Sequence, residues 1–74
     1  MHYVYVLKGE RGMYYGYTRD LKRRLQQHRR NHRGELVYYE AYKAETDARR
    51  RERQFKHYAQ ALTALKGRIA ESMR

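Results

Sequence analysis

Residues 13–28, MYYGYTRDLKRRLQQH, place tyrosines, arginines and a histidine in one short stretch. Arg24 and His28 are four residues apart, so in a helix their side chains share a surface. The planar fork of arginine suits phosphate oxygens. A histidine in such a place is more often a surface or core residue than a catalyst, and an arginine beside it is often part of a solvated basic face. The spacing alone leaves both interpretations open.

An acidic residue falls on the apolar side of a second predicted helix. In TDARRRERQFKHYA, Ala48, Phe55 and Ala59 form one stripe at helical spacing. Glu52 lies between Ala48 and Phe55 and is predicted to point inward. A buried carboxylate is costly unless it is paired or binds a metal. An ion pair with an arginine at the edge of the core is one interpretation, and a metal-binding or catalytic carboxylate is the other.

Hydrophobic patterning predicts three strands and three helices. The strands are 2–8, 13–17 and 35–42, and the helices run from Thr18 to about Asn31, from about Thr46 to Tyr58 and from about Ala59 to Met73. Eight of the nine tyrosines fall in these strands. Such tyrosines are mostly structural, and stacking on unpaired bases is the functional alternative for exposed ones.

Local signals indicate where the helices begin, end and pack. Thr18 is the predicted cap of the first helix, with Asp20 in its first turn and Gly34 as a stop beyond it. Leu21 and Leu25 provide the buried stripe of that helix. The last helix has an apolar side at helical spacing. Its members are Leu62, Leu65, Ile69 and Met73.

The predicted fold class is α+β, in the order β-β-α-β-α-α. A small, mainly antiparallel three-stranded sheet is flanked by helices. The short GERG connection at 9–12 makes an antiparallel hairpin of the first two strands. The partner of the third strand is left open by local sequence. We treat residues 1–74 as one domain, since no linker or repeat divides them.

Charge points to a polyanionic partner. The chain has 18 Lys and Arg against 8 Asp and Glu, for a net charge of +10. Nucleic acid is favoured over an anionic membrane, because the apolar helix faces are needed for the core. The absence of cysteine excludes disulfides and thiolate metal sites. No signal peptide or membrane-spanning run is recognisable, so a cytoplasmic location is expected.

Together these features resemble the small, stand-alone members of the GIY-YIG nuclease family. They are also similar to the N-terminal domain of the excinuclease subunit that belongs to this family. The two strand motifs that give the family its name stand here as YVY (3–5) and YYG (14–16). An arginine eight residues after the second motif matches Arg24, and a histidine one turn later matches His28. The ARRRE stretch places Glu52 at the position of the family's metal-binding glutamate.

The resemblance implies an active site at a phosphodiester. Tyr5 and Tyr14 would line it, one of them orienting or deprotonating the attacking water, and Gly16 would let the chain turn closely from strand into helix. The resemblance leaves open which tyrosine is the base.

In the helices, Arg24 would stabilise charge on the scissile phosphate, and His28 would assist by a hydrogen bond or proton transfer. Glu52 would hold one divalent ion, Mg²⁺ or Mn²⁺. These roles too are implied by the resemblance.

The implied function is a metal-dependent DNA endonuclease, selective for structure rather than sequence, of the kind used in repair or recombination. The alternative is a weak or inactive nucleic-acid-binding module on the same fold. Expected partners are branched, nicked or single-stranded DNA, with specificity aided by self-association or another protein. The expected DNA-binding residues are Arg19, Lys22, Arg23, Arg29, Arg30 and Arg33.

Three features depart from the family pattern. The first motif has Tyr3 and Val4 where the family has a glycine and an isoleucine. Many relatives have an asparagine near the end of the domain, whereas the single asparagine here is Asn31. The basic segment RRNHRGE at 29–35 is also shorter than the corresponding loop of relatives.

Overall fold

The computed structural model describes residues 1–31, 34–57 and 59–73. The strands are β1 (His2–Gly9), β2 (Gly12–Thr18) and β3 (Glu35–Tyr42). The helices are α1 (Leu21–Arg30), α2 (Glu45–His57) and α3 (Ala59–Arg68), followed by a 3₁₀ turn at Glu71–Met73. No helix within these ranges is long and apolar enough to cross a membrane. The predicted helix end at Tyr58 and the Ala59 and Met73 side chains lie outside what the structure describes.

The three strands form one sheet in the order β2-β1-β3, and both pairings are antiparallel. Strand β1 takes the centre because its residues Val4 to Leu7 are all buried, which requires cover on both faces. The third strand therefore pairs with β1. The predicted fold class and element order are confirmed.

The main core lies on one side of the sheet, called here the α2 face. Val4 and Val6 point to this face and pack against residues of α2 and the C-terminal segment. The buried members of this cluster are Val4, Val6, Ala48, Phe55, Leu65 and Ile69. The predicted apolar positions Leu65 and Ile69 are thus buried, and Leu62 packs against them partly exposed.

The opposite side, called here the α1 face, carries Tyr3, Tyr5 and Leu7, since successive side chains of a strand alternate. Helix α1 approaches this face but has no fully buried residue. Leu21 and Leu25, predicted as a buried stripe, are only half-buried. The two faces therefore differ in how completely they are covered.

Helix α1 begins later than predicted. Its cap is Asp20, whose Oδ1 accepts a hydrogen bond of 3.1 Å from the Arg23 N–H. The Thr18 hydroxyl instead accepts a hydrogen bond from the Asp20 N–H, at 3.1 Å. Prediction of Thr18 as the cap was wrong because both residues are good caps and only the chain path after β2 decides between them.

Gly34 has a different role from the predicted helix stop. Its φ is +127°, a region that side chains rarely adopt. A Cβ there would also come within 2.8 Å of the Lys8 carbonyl carbon. Gly34 therefore allows the chain to pass close to β1 as it enters β3.

Candidate active site

A tyrosine–histidine pair joins the sheet to α1. Tyr5 is 5% exposed, and its hydroxyl lies 2.9 Å from Nε2 of the half-buried His28. Their rings are 5.5 Å apart at an interplanar angle of 54°. The family resemblance placed these two residues in one site, and the structure brings them into direct contact across 23 positions of sequence.

Gly16 makes room for this pair. It lies inside β2, directly opposite Tyr5, and not at the turn into α1 as expected. A Cβ at position 16 would overlap Cζ and Oη of Tyr5. The glycine is therefore the surface on which the Tyr5 ring rests. Gly16 thus allows close approach of the Tyr5 side chain, whereas the family resemblance implied that it allows a close turn of the backbone.

Tyr14 lies on the same face as Tyr5. It pairs with Leu7 in β2, two residues before Gly16, and is 38% exposed. Its hydroxyl makes no hydrogen bond within the described part of the chain. Tyr14 is thus open to a ligand, whereas Tyr5 is buried and already bonded.

Beside α1, a cleft of about 500 Å³ carries four arginines. It is lined by Tyr17, Thr18, Arg19, Asp20, Arg23, Arg24, Gln27 and Arg49. We call it the arginine cleft. The predicted residues Arg19, Arg23 and Arg24 all line it, at the N-terminal half of α1. Four guanidinium groups around one space favour an anion with several oxygens, such as a phosphodiester.

Arg49, which was not singled out from the sequence, adds a guanidinium from α2. Its Nη2 lies 3.3 Å from Glu45 Oε1, and its Cζ lies 4.3 Å from the centre of the Tyr17 ring. The Tyr17 hydroxyl donates to the same carboxylate at 3.1 Å, and these hydrogen bonds hold the pKa of Glu45 below its usual value. Arg49 is three residues before Glu52, and residues at this spacing lie on the same surface of a helix. This spacing is the sequence signal that could have identified Arg49.

Glu52 belongs to the helix on the other side of the sheet from Tyr5 and Tyr14, and it is not among the residues that line the arginine cleft. Its helix α2 packs on the α2 face through Ala48 and Phe55, whereas Tyr5 and Tyr14 are on the α1 face. Its side chain is 18% exposed, with Oε2 at 3.6 Å from Lys56 Nζ. The arginine cleft, at the edge of β2, is where residues of α1 and α2 meet.

The inward-facing acid that pairs with an arginine is Glu40. Its Oε1 accepts from Arg51 Nε at 2.9 Å, and its Oε2 accepts from Arg51 Nη2 at 3.2 Å. The hydroxyls of Tyr38 and Tyr42 also donate to it, each at 2.5 Å. The interpretation of Glu52 as the acid paired with an arginine therefore describes Glu40 instead, while Glu52 pairs with a lysine.

This network is reflected in the pKa values of its members. Burial alone would raise the pKa of Glu40, but hydrogen bonds from Arg51, Tyr38 and Tyr42 outweigh it and lower that pKa. Burial and the Glu40 hydrogen bond raise the pKa of Tyr42 to about 12. The pKa of Tyr38 is raised by the same causes. Both tyrosines therefore remain protonated at neutral pH, and their role is structural.

Glu52 is not part of a cluster of three or more metal-binding side chains among the described residues. Among residues 1–31, 34–57 and 59–73, no three His, Cys, Asp or Glu residues cluster closely enough to hold an ion. Mg²⁺ is commonly bound by one or two carboxylates together with water and substrate phosphate oxygens. The partly exposed Glu52 carboxylate fits that donor set.

The remaining predicted basic residues are distributed along α1. Lys22 is exposed in its first turn, and Arg29 and Arg30 are exposed in its last turn, at the end remote from Asp20. Arg33 lies outside the described residues. The predicted basic surface is therefore present along one helix, with its densest part at the arginine cleft.

The structure thus places His28, the partner of Tyr5, on the same helix as two of the clustered arginines, Arg23 and Arg24. The family model described as the GIY-YIG catalytic domain matches residues 1–66. The chain belongs to this family, which is a family of nucleases. A search of curated protein sequences gave no match.

The fold is similar to the solution NMR structure of the UPF0213 protein BH0048 from Bacillus halodurans. The TM-score is 0.63 and the sequence identity is 32%, over 96% of this chain and 90% of that protein. The similarity therefore extends through the C-terminal helices, beyond the residues that the family model matches.

Proposed function

We propose that the protein is a metal-dependent endonuclease that hydrolyses DNA phosphodiester bonds and selects substrates by structure. The observation that carries the proposal is the 2.9 Å contact between Tyr5 and His28 on the helix that also presents Arg24. Membership of a nuclease family supports it. Arginine contacts to phosphates carry no sequence information, which supports selection by structure.

The Tyr5–His28 pair supplies a route for a proton. In the proposed step, a water in line with the leaving oxygen gives a proton to Tyr5 Oη as it attacks phosphorus. Tyr5 in turn passes its own proton to Nε2 of His28. The imidazole suits this role because its usual pKa, about 6.5, lies near neutral pH. Attack by the water oxygen breaks the bond between phosphorus and the leaving oxygen, which takes a proton from solvent and becomes a hydroxyl end, while the other product is a phosphate monoester. The His28 imidazolium then returns its proton to solvent.

This assignment favours Tyr5 over Tyr14 as the base, since Tyr5 has a proton acceptor at its hydroxyl. Tyr14, exposed and without a hydrogen bond in the described part of the chain, is assigned to orienting the water or a phosphate oxygen. Arg24 stabilises the negative charge that develops on the phosphate, because a guanidinium placed at that charge binds the transition state more strongly than the ground state.

Glu52 is the residue that would hold the metal. When bound, a divalent ion neutralises charge on phosphate oxygens and lowers the pKa of water. The Lys56 ammonium, 3.6 Å from Glu52, is half-exposed and able to move to solvent or phosphate when the carboxylate takes a new partner.

The test is a cleavage assay of wild type, Glu52→Gln and Asp47→Asn with labelled duplex, single-stranded, flap and branched DNA. Mg²⁺, Mn²⁺ and chelator are compared, and binding is measured in parallel. Asp47 is the matched control because it is an exposed acid of the same helix, paired with Arg50. Metal-dependent cleavage that is lost in Glu52→Gln and kept in Asp47→Asn supports the proposal.

Binding of DNA without cleavage of any of the four substrates would overturn the endonuclease and favour the binding module. A readout independent of activity is Mn²⁺ line broadening in NMR spectra. It is expected at residues around Glu52 in wild type and absent in Glu52→Gln.

A further prediction concerns Arg24. Arg24→Ala is expected to reduce cleavage by about 100-fold or more, as for other groups that stabilise a transition-state charge. Affinity for DNA is expected to fall much less, since three other arginines line the same cleft. Equal losses in both measurements would make Arg24 an ordinary phosphate contact.

A further inference from the structure

A second cavity, of about 440 Å³, lies on the α1 face between the sheet and α1. Its apolar walls are the rings of Tyr3 and Tyr39 from the sheet and the side chains of Leu21 and Leu25 from α1. Arg19 and Lys22 provide positive charge at the same cavity. We call it the tyrosine pocket. Its two tyrosines take no part in the proposed cleavage step.

Of the two aromatic rings of this pocket, that of Tyr39 is exposed and that of Tyr3 is half-buried. Tyr39 is 53% exposed although it lies in a strand, and its ring centre is 6.2 Å from that of Tyr3 at an angle of 60°. In the described part of the chain, neither hydroxyl makes a hydrogen bond. By contrast, the Tyr38 and Tyr42 hydroxyls of the same strand both donate to Glu40. Packing within the fold therefore does not explain Tyr39.

The tyrosine pocket adjoins the arginine cleft. Arg19 and Asp20 line both cavities, which lie on either side of the start of α1. Asp20 is occupied as the helix cap, so Arg19 is the residue able to serve a ligand that spans the two. A ligand that fits both has a flat, apolar group for the tyrosines and an anionic group for the arginines.

We propose that the tyrosine pocket binds an unpaired nucleobase of a nucleic acid whose neighbouring phosphate lies in the arginine cleft. Every base has a flat face that stacks on tyrosine, and positive side chains beside the aromatic groups hold the backbone. A base in a duplex has both faces covered by its neighbours and cannot enter. The substrate class is therefore single-stranded DNA or the unpaired segment of a flap or branch. This inference rests on the proposed function for the phosphate in the cleft, but the base-binding step needs no cleavage.

The test measures affinity with chelator present, so that cleavage plays no part. Fluorescence anisotropy of labelled oligodeoxythymidylate is compared with that of an abasic strand of equal length and charge and with a blunt duplex. The variants are Tyr39→Ala and Tyr39→Phe, which removes only the hydroxyl. Arg11→Ala, in the exposed turn between β1 and β2, controls for nonspecific effects of substitution.

Tyr39→Ala is expected to weaken binding of oligodeoxythymidylate by about 5- to 100-fold, the range for loss of one base–aromatic stack. Its affinity for the abasic strand and the duplex should change less than twofold, and Tyr39→Phe and Arg11→Ala should resemble wild type. Equal loss on all three ligands, or no loss on any, would overturn the proposal. A change in oligomeric state of Tyr39→Ala with unchanged affinity would assign the pocket to contact between copies of the chain and also overturn it.

Failure of the endonuclease proposal would appear differently. It would leave every substrate uncut in the cleavage assay while the base-dependent affinity and its loss in Tyr39→Ala remain. Failure of the tyrosine-pocket proposal would leave cleavage intact, and the affinity for oligodeoxythymidylate would equal that for the abasic strand. The two outcomes are read from separate experiments on the same chain.

Discussion

The two faces of the sheet use the same amino acid for different purposes. On the α2 face, the hydroxyls of four tyrosines donate hydrogen bonds, with Glu40, Glu45 or Met13 as acceptors. The four are Tyr15, Tyr17, Tyr38 and Tyr42. On the α1 face, only the Tyr5 hydroxyl is hydrogen-bonded within the described residues, and its contact is with His28. Tyr3, Tyr14 and Tyr39 leave theirs open.

Burial explains the difference between the faces. On the α2 face, burial raises the pKa of all four tyrosines, and nearby carboxylates raise it further for three of them. A protonated, bonded tyrosine is a structural group. The α1 face is covered less completely by α1, so Tyr3, Tyr14 and Tyr39 remain available to a substrate, whereas Tyr5 is buried. The comparison predicts that substitutions of the hydrogen-bonded tyrosines on the α2 face affect stability and that those of the open tyrosines on the α1 face affect function.

The largest expected effect on stability is that of Glu40→Ala. It would leave Arg51 unpaired near the core and remove the acceptor of two tyrosines, and we expect a loss of about 2–4 kcal/mol in the free energy of unfolding. Chemical denaturation measures it. Glu10→Ala, in the exposed turn of the hairpin, is the control and should change stability by less than about 0.5 kcal/mol. Equal effects of the two variants would contradict a structural role for the Glu40 network.

Gly16→Ala is expected to come next and to affect both stability and cleavage. The added methyl overlaps Tyr5, and relieving such an overlap in a packed site costs about 1–3 kcal/mol. Displacement of Tyr5 should also break its contact with His28 and sharply reduce cleavage. Gly67→Ala is the matched control, since nothing lies within 4 Å of its added Cβ and alanine is the better helix former. A fully active Gly16→Ala would show that the Tyr5–His28 contact is not needed.

Tyr42→Phe is expected to have a moderate effect, a loss of about 0.5–1.5 kcal/mol, the usual net range for one hydrogen bond, because Tyr38 and Arg51 still donate to the Glu40 carboxylate. Circular dichroism during thermal unfolding would measure it. The other α2-face substitution, Tyr38→Phe, should resemble it, since the two hydroxyls donate to the same carboxylate. No change in either variant would mean that Arg51 alone satisfies Glu40.

The same tyrosine predicts a pH dependence at the alkaline end. The folded state raises the pKa of Tyr42 to about 12, whereas an unfolded tyrosine titrates near 10. The folded state therefore binds this proton more tightly, and the stabilisation is complete below pH 10 and lost as the pH rises from 10 towards 12. Denaturation at pH 8, 10 and 11 should show this fall, and a smaller fall in Tyr42→Phe. Parallel curves for the two proteins would refute the assignment.

The smallest expected effect on stability is that of Tyr14→Phe, within about 0.5 kcal/mol, because its hydroxyl has no hydrogen bond in the described structure. Cleavage, in contrast, should fall while DNA affinity stays near that of wild type. The comparison with Tyr42→Phe is direct, since each variant removes one hydroxyl. A stability loss as large as that of Tyr42→Phe would remove the distinction between the two faces.

Much of the fold follows from the sequence. Alternating aromatic and aliphatic residues, the short GERG turn and helical spacing of apolar residues predicted all three strands, their hairpin and three helices. These signals are local, because each depends on residues a few positions apart. The predicted end of the last helix near Met73 was wrong, because the helix ends at Arg68 and a 3₁₀ turn follows at Glu71–Met73. The pairing of β3 with β1 and the choice of Asp20 over Thr18 as the cap depend on contacts or chain paths beyond that range.

The candidate site shows the same division. The sequence determined which residue types are available: tyrosines before a glycine, Arg24 and His28 one turn apart, and Glu52 on the inner side of its helix. Only the tertiary structure decided that Gly16 seats the Tyr5 ring, that Arg49 faces the arginine cleft, and that Glu40 is the acid paired with an arginine. The physical reason is that hydrogen bonds and close approaches join residues distant in sequence, and a strand pattern does not reveal which face the helices cover more completely.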